Sequence, residues 1–239
     1  MSEIVSLAED PEAARDRAVK ALRDGKIIVL PTDSVYALCT DAFSKLGTQR
    51  LFGAKRRGRA TPLSVLIRSQ RQTIGLVEEI SEAAERLMAA YWPGPLTLVF
   101  PAAEGLSWDI GEAQGTVALR MPTDDLLLEL IADVGPLAVT SANRRGEPVP
   151  ETAAAARRQL GLAVSVYLEG GERQGSASTV VDVTRARPEV LREGAIPADD
   201  ILRVADGETT SDARPDAAAQ PRAGAGATAL GDAEPDAAG

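Results

Sequence analysis

The apolar residues of this chain come in short runs, and helical spacing or a polar cluster follows each one. The runs are KIIVL (26–30), PLSVLI (62–67), WPGPLTLVF (92–100), VALRM (117–121), PLAVTSAN (136–143), VSVYL (164–168), STVVDV (178–183) and PEVLREGAI (188–196). Their length and their content of Val, Ile and Leu predict strands. Asp10-Pro11 reads as an N-cap and first-turn pair, Ala14, Ala18, Ala21 and Leu22 form one helical face, and Gly25 closes that helix. Further helices are predicted over much of 43–54, through Ile80, Ala84, Leu87, Met88 and Tyr91, from a capping Thr123 through Leu127, Leu130 and Ile131, and over 151–160. Strand and helix alternate without an internal repeat. That order predicts a single α/β domain with a large, mixed, twisted sheet flanked by helices. A hydrophobic content of 44% supplies its core, and an aromatic content of 3% makes that core chiefly aliphatic.

The pattern stops near residue 205. Residues 206–239 are rich in Ala, Gly, Pro and Asp and hold one large aliphatic residue, Leu230. Such a segment cannot bury enough apolar surface to offset chain entropy, so it is expected to be a disordered tail behind a 1–205 domain. The tail carries −5 of the chain's −9 and leaves −4 on the domain. Broad nucleic-acid binding fits an acidic chain poorly, yet a local cationic site does not.

Composition narrows the chemistry further. The chain has no histidine, which removes Ser-His-Asp and Cys-His catalysis and any imidazole metal site. Cys39 is the single cysteine, so no disulfide forms within the chain. Neither a basic–apolar leader nor a membrane-length apolar run is present, and a soluble cytoplasmic protein is the expectation. Lys, Arg, carboxylates, hydroxyls and backbone amides must carry the function.

Several strands run into or out of such groups. Thr32, Asp33, Ser34 and Tyr36 follow KIIVL; Thr140, Ser141 and Asn143 follow PLAV. Each cluster also has the composition of an ordinary turn. Lys55, Arg56, Arg57 and Arg59 crowd the approach to PLSVLI, and no acidic residue lies between Asp41 and Glu78. Arg forks and a Lys point charge suit phosphate oxygens, although charge runs on proteins are more often simply solvated. Arg120 sits inside an apolar strand and Arg192 follows another, positions that are costly for a cation without a partner. No GxxxxGK[ST] or GxGxxG is present, so any phosphate would be held by cations rather than a glycine cradle.

Taken together, PTDSVYAL, AKRRGRATPLSVLI, WPGPLTLV, VALRMP, TSANRRGEP, STVVDVT and VLREGAI resemble, in order, the signatures of the YrdC/TsaC family of threonylcarbamoyl-AMP synthases. The resemblance covers about residues 10–205 and implies a YrdC-like domain with a concave cationic groove. It implies condensation of L-threonine, bicarbonate or CO2 and ATP, with Mg2+, into threonylcarbamoyl-AMP and pyrophosphate. The product would pass to tRNA threonylcarbamoyl-transferase proteins for modification of tRNA adenosine. By motif, Lys55 and Arg57 are the catalytic pair on the ATP phosphates, with Thr61, Thr116, Ser141, Asn143 and Arg192 as further ATP contacts. Ser34, Arg120 and Ser178 match threonine contacts. The chain departs from the family pattern at Ala37 and Cys39, where Gly is usual, and at Leu66, where His is frequent. Two rival readings remain: a non-catalytic module for double-stranded RNA, and a paralogue acting on another small molecule.

Overall fold

The structure is a computed structural model that describes residues 2–208. The region expected to form the tail lies, from residue 209 onward, outside the described residues. Helices α1 (Pro11–Arg23), α2 (Lys45–Lys55), α3 (Glu82–Tyr91), α4 (Asp125–Val134), α5 (Ala153–Leu160) and α6 (Ala198–Ala205) accompany one sheet. Its strands are β1 (Glu3–Ser6), β2 (Ile28–Pro31), β3 (Tyr36–Asp41), β4 (Ser64–Leu66), β5 (Leu96–Pro101), β6 (Thr116–Arg120), β7 (Leu137–Ser141), β8 (Val166–Glu169), β9 (Thr179–Asp182) and β10 (Glu189–Arg192). They lie in the order β1-β8-β2-β3-β7-β4-β6-β5-β9-β10, with parallel and antiparallel pairs mixed.

Local chemistry sets the helix ends. The Asp10 carboxylate accepts from the Ala13 amide at the start of α1. At its end Gly25, with φ 62°, donates to Leu22 O while Lys26 donates to Ala21 O, a Schellman closure that leaves β2 to start at once. The start of α4 differs from expectation. Asp124, not Thr123, caps it by accepting from Leu127 N, because the Thr123 hydroxyl is taken by Asp33.

Two apolar layers sandwich the sheet. On one face α2, α3, α5 and α6 pack Leu51, Leu87, Ala156 and Ile201 against Val29, Val65, Leu98, Leu119 and Val181. On the other, α1 and α4 pack Ala18, Leu22, Leu127 and Ile131 against Ile28, Leu30, Cys39, Leu137 and Val166. This second layer ends at Leu66. Beyond it, the alternation of β4, β5, β6 and β9 turns Ser64, Thr97, Ala118, Arg120 and Val180 to the same face, since Val65, Leu98, Leu119 and Val181 occupy the opposite one. A half-covered face on one continuous sheet therefore forms the floor of a cleft.

Candidate active site

The cleft has a volume of about 390 Å3, and its wall includes Ser34, Arg57, Arg120, Ser141, Ser178 and Arg192. These residues come from six separate stretches of the chain. Lys55 and Asn143 stand at its edge, bound to Ser141.

Lys55 is the last residue of α2. Arg56 then takes φ 51°, a left-handed conformation that costs a non-glycine residue roughly 1 kcal/mol, and the chain turns back on itself. Lys55 and Arg57 consequently both reach the end of β7. The Lys55 ammonium donates to Ser141 O, to Ser141 Oγ at 3.0 Å and to Asn143 Oδ1 at 2.8 Å. Arg57 donates to Thr61 O at 2.8 Å, Pro62 O at 2.6 Å and Thr140 Oγ1 at 3.1 Å. Arg56 and Arg59 stay exposed, and Arg59 pairs with Asp109 while lying over the Phe52 ring. The local absence of acids around this cluster thus does not leave every cation unbalanced: tertiary contact supplies Arg59 with a carboxylate.

Among the described residues, Lys55, Arg57 and Arg192 have no carboxylate within ion-pair distance. Burial, with Arg57 nearby, pushes the Lys55 ammonium down to about 8. Arg57 is pushed down by burial and then by Arg145 and Arg192; Arg192 is pushed down by burial and then by Arg120. Cations that destabilise one another in a shared hollow favour an anion there.

The other end of the cleft is built differently. Arg120, 8% exposed at the end of β6, donates to Asp33 Oδ1 at 2.6 Å, Gly94 O at 3.0 Å and Ser34 Oγ at 3.3 Å. Those contacts use three of its five N–H groups. Ser34 also meets Thr32 Oγ1 at 3.1 Å, and Ser178 meets Thr97 Oγ1 at 2.8 Å. Arg192 donates to Ser178 O at 2.8 Å. Gly175 donates to Ser34 O, and a Cβ on Gly175 would fall 2.4 Å from that oxygen, so only glycine allows this approach. Leu66 lines the cleft beside Arg120, its register partner on β6.

Alternation alone would place Arg192 on the same face as Val190, toward the core. An extra residue, Leu191, breaks the β9–β10 register, so that Val190 faces Val181 and Arg192 faces Val180. This bulge re-aims Arg192 to the cleft side.

Three expected positions fall elsewhere. Thr61 contributes its carbonyl to Arg57 and does not line the cleft. Thr116 opens β6, about 13 Å along the strand from Arg120, with its hydroxyl on Ala113 O. Tyr36 points into the opposite apolar layer, where its hydroxyl donates to Glu169 and Gly171. Thr97 and Ser64, which are not among the expected site residues, also lie in the cleft wall. The available signal was one polar residue at an outward position of an otherwise apolar strand.

The Sua5/YciO/YrdC family model, described as "Telomere recombination", matches residues 20–194. The chain belongs to that family. A Mycobacterium leprae protein, provisionally named a threonylcarbamoyl-AMP synthase, is 44% identical over 199 residues, 82% of this chain and 90% of its own. The threonylcarbamoyl-AMP synthase of Pyrococcus abyssi is 38% identical over 207 residues, 85% of this chain and 61% of its own. The crystal structure of P. abyssi Sua5 complexed with L-threonine superposes with a TM-score of 0.78 at 36% identity, covering 85% of this chain and 60% of that one. The chain therefore spans about three fifths of that archaeal relative. E. coli YciO shares the fold, with a TM-score of 0.76 at 24% identity over 84% of this chain and all of its own. Its described residues form a single α/β domain on a mixed sheet, a fold shared with these structures. No helix among the described residues is long and apolar enough to cross a membrane.

Proposed function

We propose that the protein is a threonylcarbamoyl-AMP synthase whose cleft binds ATP at the Lys55 end and L-threonine at the Arg120 end. One observation carries this reading. Arg57 and Arg192, with Lys55 at the edge, converge without a carboxylate partner among the described residues on a hollow that also holds Arg120, Ser34 and Ser178. The names of the relatives support the same activity.

The two unused N–H groups of Arg120 suit the threonine carboxylate. Ser34 and Ser178 orient the amino acid. The threonine amine adds to CO2 with loss of a proton to solvent, or to bicarbonate with loss of water, and gives a carbamate. A carbamate oxygen then attacks the α-phosphorus, and the bond to the β-phosphate oxygen breaks with release of pyrophosphate. No histidine is available, so no imidazole relay takes part. The chain's contribution is positioning and charge stabilisation: Lys55, Arg57 and Arg192 neutralise the triphosphate and the departing pyrophosphate. Magnesium enters as part of the nucleotide substrate. Among the described residues no cluster of His, Cys, Asp or Glu could hold a metal ion. Ser141 and Asn143 complete the nucleotide end in this reading, and Thr61 acts only through the carbonyl that holds Arg57.

The test is pyrophosphate release from ATP, magnesium and bicarbonate with and without L-threonine. Threonine-dependent release supports the synthase. RNA binding without release would favour a binding module, and release indifferent to threonine would favour another small-molecule substrate.

A further inference from the structure

We propose that Gln159, on α5 and outside the cleft, is a positioning residue for the nucleotide end of the site. The inference rests on the reading above only in calling the ligand of that end a nucleotide. The segment after β7 carries Asn143 and then turns through Arg144–Pro148. One side chain staples this turn at both ends: Gln159 Oε1 accepts from Arg144 N at 2.9 Å, and Gln159 Nε2 donates to Pro148 O at 3.0 Å. Inside the staple, Glu147 N donates to Arg144 O, and Glu147 O accepts from Asn143 Nδ2 at 2.7 Å.

That last bond decides which way the Asn143 amide faces. With Nδ2 held by Glu147 O, Oδ1 is left to accept from Lys55 Nζ at 2.8 Å and from Ser141 Oγ at 2.6 Å. A turn free to drift would release Asn143, and Lys55 would lose one of the three acceptors that aim its ammonium. Arg145 N also donates to Lys55 O from the same turn. The anchor is firm because α5 buries Ala153, Ala156 and Leu160 in the core. Only a side chain with both a donor and an acceptor can bind the amide of Arg144 and the carbonyl of Pro148 together.

The experiment is calorimetric titration of the full chain, and of its Gln159→Leu and Gln159→Glu variants, with MgATP and separately with L-threonine. Pyrophosphate release and melting temperature are measured on the same samples. Gln159→Leu is expected to raise Kd for MgATP about 5- to 30-fold, the factor for one or two net hydrogen bonds, with Kd for threonine changed less than twofold. Gln159→Glu keeps the acceptor for Arg144 N and is expected to recover part of the loss. An unchanged Kd for MgATP in both variants overturns the proposal. So does an equal loss for both ligands with a lowered melting temperature, which marks a merely structural residue. A parent that binds MgATP but releases no pyrophosphate overturns the synthase reading, while the Kd comparison still decides the role of Gln159. A parent that binds no MgATP overturns both.

Discussion

Across one face of the sheet, β2, β3, β7 and β8 bury Ile28, Leu30, Cys39, Leu137 and Leu168 beneath α1 and α4, whereas β4, β5, β6 and β9 leave Ser64, Thr97, Arg120 and Asp182 without that cover. The backbone hydrogen bonding is continuous across both halves. What differs is the second face of each strand. In the covered half both faces are apolar, and the strands read as unbroken hydrophobic runs. In the open half one face is apolar and the other carries hydroxyls and charges. A cation such as Arg120 can stand there because Asp33, Gly94 O and the cleft itself receive its N–H groups. The covered half is scaffold up to the end of β7, where Thr140 and Ser141 reach the cleft wall, and the open half is where a ligand can meet polar groups held by a rigid floor.

This division can be broken by experiment. Leu30→Ala, in the fully buried covered half, is expected to cost about 2–5 kcal/mol of stability in urea unfolding. The activity of the folded fraction should stay within twofold; a large loss of turnover in fully folded protein would erase the distinction. Lys55→Ala or Arg57→Ala should do the reverse. Turnover is expected to fall by an amount on the order of 2–4 kcal/mol in the transition state, with melting temperature changed by only a few degrees. Equal rates in parent and variant would remove these side chains from the site.

A smaller effect sharpens the comparison through pH. The Lys55 ammonium is pushed down to about 8 by burial and Arg57. The free enzyme therefore loses this charge as pH rises through about 8, and kcat/KM for ATP should decline above it by up to about tenfold per pH unit. Lys55→Arg should remove that limb from the accessible range, because a guanidinium stays charged. A profile flat to pH 10 in the parent would contradict the assignment. The smallest effect belongs to Ser64→Ala on the open half, expected to change stability by no more than about 0.5 kcal/mol. Its covered-side neighbour Val65→Ala should cost several times more in the same unfolding series.

Much of this was legible in advance, and the exceptions have physical reasons. The strands that pack on both faces announced themselves as apolar runs, and α1 through its cap and its Ala/Leu spacing. β1 gives no apolar run, because Glu3–Ser6 is a short edge strand with an exposed start, paired only to β8. The turn chemistry of Thr32–Ser34 just before it hides β3, and α6, as short as α5, lacks the side-chain cap that Thr152 gives α5. Within the site, the cations of Lys55–Arg59 were visible as a group, but nothing local separates Lys55 and Arg57 from the exposed Arg56 and Arg59. That separation comes from the left-handed turn at Arg56 and from β7 lying opposite.

Residue order alone specifies the strand and helix alternation, the placing of polar clusters at strand ends and a chemistry without imidazole. All three follow from residue type and spacing, and a backbone of fixed period converts spacing directly into faces. Tertiary structure decided who meets whom. Lys55 binds Asn143 across 88 positions, Arg120 binds Asp33 across 87, and a single bulge residue turns Arg192 from the core to the cleft. Such meetings depend on strand order and register. Those are fixed by how two apolar layers close on one sheet, and they leave no trace in the local order of residues.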